Sequence, residues 1–396
     1  MTKLINLRIF SHFFQSSSAG GILLLLCVCI SLLIANTGLS TGFAELLNFQ
    51  LGFETATVHL RYPILLWIND GLMAVFFLLV GLEIKREIVE GELSSMRQAA
   101  LPVLAAIGGV LVPALIYAGF NGASPLTAKG WGIPMATDIA FALGILSLLG
   151  DKVPTGLKIF LAALAIVDDL IAILVIAIFY SSELHFLYLG YAGAIFVLLL
   201  VFNRLGVKNL FFYLLPGLVM WYFIHHSGIH ATIAGVLVAL TLPTNEEETD
   251  SPLEKLEHAL SHQVNFIIMP IFALANTNIT FESGMIEGLA GNLGLGIVLG
   301  LFLGKPIGIY AMSWLCVKAN IADLPENVKW PHVLGLGLLG GIGFTMSIFI
   351  ALLSFDQPAY QNEAKFAILI ASVLAGISGF LLLSLYNKSK RNTTAS

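Results

Sequence analysis

Runs of about 20 predominantly apolar residues, the length that crosses a hydrocarbon layer as a helix, recur from one end of this chain to the other. Twelve can be placed, near 19–36, 63–84, 98–119, 131–149, 155–180, 185–203, 209–226, 228–242, 260–276, 291–314, 331–354 and 364–387. Charged residues make up only 11% of the sequence and hydrophobic ones 58%, whereas a soluble domain carries about 25% charged residues. No soluble core has room for that much apolar side chain. The expected fold is an all-α polytopic membrane protein of twelve transmembrane helices, with the lipid bilayer as its first partner.

The basic residues set the orientation, because cytoplasmic loops hold an excess of Lys and Arg. With the N-terminus inside, Lys3, Arg8, Lys85, Arg86, Arg97, Lys152, Lys158, Arg204, Lys208, Lys255, Lys318, Lys329, Lys388, Lys390 and Arg391 fall on the cytoplasmic face. Arg61, Lys129 and Lys365 fall on the other, and Lys305 lies inside a span. That asymmetry alternates loop by loop, which requires an even number of spans and puts both termini in the cytoplasm. Because charge is sorted by side, the net charge of -5 gives no reason to expect nucleic acid as a partner. Cys27, Cys29 and Cys316 lie in apolar spans and are expected to stay unpaired.

Residues 1–18, with Lys3 and Arg8 among apolar pairs, read as an amphipathic cytoplasmic N-terminus, 19–387 as the twelve-span body and 388–396 as a cytoplasmic tail. The poor cleavage pattern after Ile34 argues against a removed leader. In the outer loop FQLGFETATVHLR, Gly52 between two β-prone stretches is expected to turn a short hairpin. The polar stretch TNEEETDSPLEKLEH, 244–258, reads as a solvated cytoplasmic linker.

Spans 3–5 and spans 10–12 each hold a middle segment punctured by helix breakers: GWGIPMATDIAFALG in span 4 and GLGLLGGIGFTMS in span 11. A backbone break at membrane depth survives only where protein buries it or where it lines a cavity. Broken helices at matching positions of two halves point to inverted repeats. The glycines of GGV at 108–110, by contrast, read as a close helix contact.

An ionisable group at membrane depth costs at least ~2.5–3.5 kcal/mol, so each one asks for a reason. Five are buried in the spans: Asp70, Asp138, Asp168, Asp169 and Lys305. Asp168 and Asp169 differ by about 100° around a helix, so one can line a cavity while the other meets a neighbour. Their protons come off as a coupled pair, which suits a proton-coupled carrier. Lys305 is the natural counter-charge for one of them; a permanent ion pair is the plainer reading, and it leaves the other acids unexplained. Hard cations such as sodium take carboxylate, hydroxyl and carbonyl oxygens, and Thr137, Asp138 and Asp169 offer them beside a break. Broken helices also expose partial charges of about half a unit. Asp138 can balance the positive ends and Lys305 the negative ones, a role that stands level with direct ion binding.

Glu83 and Glu87 share a helix face where span 2 meets the cytoplasm and can form an ion funnel or a pH-sensing cluster, while Glu90 and Glu92 read as a solvated helix end. His230 is either a titrating switch or a hydrogen-bonded structural histidine, and His225 and His226 read as peripheral.

The segments LLWINDGLMAVFFLLVGLEIKRE, ATDIAFALG, LAALAIVDDL, SGIHATIAGV, GKPIGI and GIGFTMSIFIALL together resemble the signature segments of NhaA-type bacterial sodium/proton antiporters, from about Ala19 to the end of span 12. The resemblance implies an inner-membrane secondary transporter, not an enzyme and without a cofactor. It would expel cytoplasmic sodium and lithium in exchange for external protons, electrogenically and under pH control, for sodium and pH homeostasis. It makes Asp169 the main sodium ligand, Asp168 the partner of Lys305, and Thr137 and Asp138 the broken-helix residues that assist. Glu83, Glu87, Glu257 and His230 would serve the funnel and the pH response, and the hairpin near Gly52 would join two protomers of a homodimer. Two departures stand out: Ser261 where the family has the histidine of LHP, and Asn278 in LANTN where it has the glycine of FANAG. Both are expected to shift the pH profile. An intramembrane aspartyl protease would carry a GxGD motif, which is absent; an organic-anion carrier would place arginine deep in a span, where none lies. A passive cation channel differs in moving sodium without proton counterflow.

Overall fold

The computed structural model describes residues 19–55, 58–181, 183–244, 251–281 and 284–394; the expected amphipathic N-terminus, 1–18, and the last two residues of the tail lie outside them. Helix α1 (Ala19–Ala35) turns through 110° into a short α2 (Ser40–Asn48). A two-stranded antiparallel sheet follows, β1 (Gln50–Leu51) against β2 (Tyr62–Pro63), with Leu51 opposite Tyr62. The hairpin is present, but Gly52 does not turn it. The Thr55 N–H donates to the Val58 carbonyl at 2.9 Å, which places the turn beyond Gly52. Gly52 instead has φ +115 on the first arm, where a Cβ would stand 1.9 Å from the Leu60 carbonyl oxygen.

The helices continue as α3 (Ile64–Val89), α4 (Met96–Asn121), a 3-10 stretch (Ala128–Met135), α5 (Ile139–Leu148), α6 (Thr155–Phe179), α7 (Phe186–Arg204), α8 (Phe211–His225), α9 (Ile233–Thr241), α10 (Pro252–Asn276), α11 (Met285–Leu289), α12 (Asn292–Lys318), α13 (Trp330–Gly340), α14 (Phe344–Ser354) and α15 (Pro358–Thr394). Among the described residues eight stretches are long and apolar enough to cross a membrane, or ten if each bent pair counts as one. Both expected interruptions are there: the α5 region starts as a 3-10 stretch, and α13 and α14 meet at a 45° bend. The runs at 209–226 and 228–242 give shorter helices than expected, 15 residues in α8 and 9 in α9. The chain leaves the helix between them, where the Ser227 hydroxyl caps the Ile224 carbonyl at 2.8 Å and Gly228 takes φ +88. The expected linker at 244–258 is also corrected, since its second half starts α10. Ser251 and Glu254 form a reciprocal capping box with Pro252 in the first turn, a helix start that the acidic run before it obscured.

Lipid tails are as apolar as leucine, so these helices are held by close packing through small residues more than by the hydrophobic effect. Helix α4 crosses α12 at Gly108 and Gly308: a Cβ on Gly308 would stand 2.0 Å from the Gly108 carbonyl oxygen. The close-contact reading of GGV therefore holds. Helix α9 lies on α3 in the same way, with a Cβ on Gly235 reaching to 2.2 Å of the Ala74 carbonyl oxygen. Among the described residues two large apolar cores result, beside a small cluster of Val110, Met135, Ala172 and Val175. The larger gathers α1, α4–α6 and α10–α15; the smaller gathers α7–α9 and the start of α10. Helix α3 serves both, giving Phe76, Phe77 and Val80 to the first and Leu78 and Leu82 to the second.

Candidate functional site

The two interrupted elements cross each other. After Met135 the chain runs extended through Ala136 to Asp138, and its partner breaks between Gly340 and Phe344. The Asp138 N–H donates to the Ile342 carbonyl at 2.6 Å, the Thr137 hydroxyl to the Gly340 carbonyl at 2.8 Å and the Ser347 hydroxyl to the Ile133 carbonyl at 2.7 Å. Backbone groups freed by each break are thus satisfied by the other, as the absence of water at this depth requires. Asp138 is the N-cap of α5: its Oδ1 accepts the Phe141 N–H at 3.1 Å. Its Oδ2 accepts from α14, from the Thr345 N–H at 3.1 Å and from the Thr345 hydroxyl. One carboxylate therefore faces the positive ends of two helices.

The aspartate pair projects from the middle of α6. Lys305 follows directly on a π turn of α12, Gly300–Gly304, and its ammonium lies 2.5 Å from Asp168 Oδ2, with both side chains fully buried. Asp168 Oδ1 is buried, and among the described residues it has no hydrogen-bond partner. Asp169 is 3% exposed, and among the described residues no hydrogen bond reaches its carboxylate. The charges that act on it come from Asp168, Glu83, Asp138 and Lys305. The ammonium of Lys305 is thus bonded to Asp168. Thr137 belongs to the crossing; among the described residues no hydrogen bond joins it to the aspartate pair. It donates its only proton to Gly340, which leaves its oxygen lone pairs for another donor or a cation.

At the end of α3 the acids do gather. Arg86 bridges Glu257 at 3.0 Å and Glu87 at 3.4 Å, and Glu83, half-buried, lies within electrostatic reach of Glu257, Arg86 and Glu87. Glu87, Glu90 and Glu92 line a cavity of about 470 Å³ together with Ile159, Ala162 and Ala163 of α6, the helix that carries the aspartates farther along. Glu90 and Glu92, read from sequence as a solvated helix end, line this open cavity beside Glu87. The density of acids in GLEIKREIVEGEL was the available signal.

At the hairpin end, Asp70 sits on a π turn of α3, Trp67–Leu72. His225 Nδ1 lies 3.0 Å from its carboxylate and His230 Nε2 3.7 Å. His225 is thus not peripheral. The break between α8 and α9 folds it back onto the same carboxylate as His230, a meeting that local sequence could not disclose. Of the two departures, Ser261 accepts a hydrogen bond from Asn265 at 3.4 Å, and Asn278 keeps a buried oxygen without a partner among the described residues.

The profile of the Na+/H+ antiporter 1 family matches residues 11–383. A Flavobacterium johnsoniae protein named Na(+)/H(+) antiporter NhaA 2 is 81% identical over 391 residues, covering 99% of this chain and 96% of that protein. Na(+)/H(+) antiporter NhaA 1 of Klebsiella pneumoniae is 47% identical over 96% of this chain and 97% of its own length. Na(+)/H(+) antiporter NhaA of Escherichia coli is 47% identical over 93% and 96%.

Proposed function

The chain belongs to the Na+/H+ antiporter 1 family, and from that premise we propose that it is a secondary active antiporter that expels cytoplasmic sodium in exchange for external protons. The observation that carries this reading is the buried Asp168–Lys305 pair with Asp169 beside it, unbonded. Desolvation makes a buried carboxylate demand either a proton or a cation. A pair that must hold one or the other binds sodium only by releasing protons, and the exchange is then obligatory. Electrogenic exchange then requires Asp168 as well as Asp169 to take up a proton in each cycle, which parts Asp168 from Lys305 when it is protonated. Lithium, equally hard, fits the same oxygens.

In this reading Asp169 is the main sodium ligand, helped by Asp168 and Thr137, while Asp138 holds the crossing. The crossing breaks belong to inverted repeats of spans 3–5 and 10–12 in a twelve-span body, set in the bacterial inner membrane with both termini in the cytoplasm. Glu83, Glu87, Glu257 and His230 adjust activity to pH at the two mouths. The hairpin carrying Gly52 pairs two protomers. The test is proton flux in vesicles holding the purified protein, with sodium added at several pH values. Sodium-driven proton movement is expected; sodium passage without it would make the protein a channel and overturn the reading.

A further inference from the structure

Asp70 is the one span carboxylate that the exchange at Asp168 and Asp169 leaves without a task. It stands on a π turn, a deformation that helices carry mostly at functional positions, and its side chain is 15% exposed. Two imidazoles flank it, His225 on Oδ2 and His230 on Oδ1. The His225 ring stacks on Trp221 at 5.7 Å, meets Tyr62 edge-on at 5.0 Å and lies 5.2 Å from the His226 ring. Contacts continue from there to the surface. The Tyr62 hydroxyl is 3.4 Å from His226 Nε2 and 3.0 Å from the His59 carbonyl oxygen, and the exposed His59 ring pairs with Glu54 at 2.9 Å.

Tyr62 has a single hydroxyl proton and two neighbours that can take it. His226 Nδ1 faces the Tyr222 carbonyl at 2.9 Å and must donate there. When His226 is neutral, its Nε2 accepts the Tyr62 proton; when it is protonated, Nε2 donates and Tyr62 turns to the His59 carbonyl. The site thus rearranges its hydrogen bonds when one proton is added. On the inner side His230 Nδ1 meets the Thr232 hydroxyl at 2.8 Å and the Thr232 N–H at 3.4 Å, and Phe349 of α14 meets the ring edge-on at 5.2 Å without a charge. The titratable groups facing the cluster among the described residues are Glu54, His59 and Tyr62 from the hairpin, Asp70 from α3, Tyr188 from α7, whose ring lies 5.7 Å from that of His226, Tyr222, His225 and His226 from α8, and His230.

We propose that His225 and Asp70, with His230 behind them and His226 in front, form a proton-collecting station for the exchange at its outer mouth. This rests on the antiport reading and on the hairpin lying outside. Imidazole is the side chain that changes charge between about pH 5 and 8. The Asp70 carboxylate holds the cation that results, so protons are concentrated where the outward-facing carrier must reload. Each cycle adds one proton to an imidazole and gives one up to water on the way to Asp168 and Asp169, and no other bond changes.

The test uses right-side-out vesicles loaded with sodium, inner pH fixed and outer pH varied. His225→Asn keeps an N–H donor for Asp70 but does not ionise in this range; His225→Phe keeps the stack on Trp221 but loses both nitrogens. In both, exchange should fall by roughly tenfold when the outer solution is alkaline and stay near wild type when it is acidic, with the inner sodium KM unmoved. A wild-type outer-pH profile in His225→Asn would reduce His225 to a hydrogen-bond donor and overturn the proposal. An equal loss at every outer pH would mean a packing role, and a shift confined to inner pH would put the station on the wrong side; either also overturns it. Failure of the antiport reading is distinguishable, because wild type itself would then lack sodium-driven proton flux.

Discussion

Asp138 and Thr345, 207 positions apart, bind the starts of two half-helices together: the N–H and the hydroxyl of Thr345 both donate to one oxygen of Asp138, whose other oxygen accepts from Phe141. Each helix end alone would leave buried N–H groups unsatisfied. One carboxylate closes both.

Removing that carboxylate should therefore do more harm than losing one contact. Asp138→Ala strands two buried N–H groups and a hydroxyl, and at about 1–3 kcal/mol for each unsatisfied group the loss of unfolding free energy in detergent should exceed about 3 kcal/mol. Asp138→Asn keeps one acceptor oxygen and should fall between it and wild type. Unfolding curves that place the alanine variant within error of wild type would sink the capping role.

The Asp168–Lys305 pair is buried on both sides, so breaking it from one side leaves a charge with no partner. Lys305→Met should cost about 3–5 kcal/mol. Adding Asp168→Asn to that variant should recover most of the loss, because the orphaned charge is then gone. A double-mutant cycle measures this; additive effects would show that the two groups do not depend on each other.

Gly308→Ala tests the helix contact. The new Cβ would stand 2.0 Å from the Gly108 carbonyl oxygen, so α4 and α12 must move apart, at about 1–3 kcal/mol for overpacking. Lys305 lies one turn earlier on α12 and moves with it. Exchange should fall along with stability, whereas Ala at exposed Gly119, which has nothing within 4 Å of a new Cβ, should change neither.

Asp169→Asn should abolish exchange while the protein still inserts, since the amide keeps the size and loses the charge that attracts sodium. In wild type, competition for the same carboxylates predicts that apparent sodium affinity improves by up to about tenfold per pH unit for each proton displaced, until the pair is ionised. Maximal turnover should change little. A separate gate built on Glu83, Glu87, Glu257 and His230 would instead make turnover follow pH. Glu83→Gln with Glu87→Gln should leave the affinity trend intact, and a flat sodium affinity across pH would end the shared-site mechanism.

Hydropathy alone placed most of the helices and singled out Asp70, Asp138, Asp168, Asp169 and Lys305, because a charge in an apolar run is visible without any neighbour. The breaks near Pro134 and Gly341 were visible for the same local reason. That they cross was not: the contact between Asp138 and Ile342 joins segments with no shared periodicity. His225 was misjudged on the same ground, since its partner Asp70 lies on another helix and only the break after α8 aims it there. Gly52 was recognised as special, but its role is a close approach to Leu60 rather than the turn, and a positive φ serves both purposes alike.

Helix α3 faces two cores with two different surfaces, and that difference constrains how the molecule can deform. On one side the backbone of α9 is interlocked with it at Gly235 and Ala74, so neither helix can slide along the other without a clash. On the other, contact with α14 runs through the rings of Phe77 and Phe349, 5.6 Å apart and tilted by 47°, and rings can slip while they stay in contact. The interlocked backbone makes the α3–α9 contact the stiffer of the two, so a displacement of α3 against α14 would be taken up by the rings rather than by α9. Phe349 is four residues from Thr345 on that helix, about one turn from the knot at Asp138.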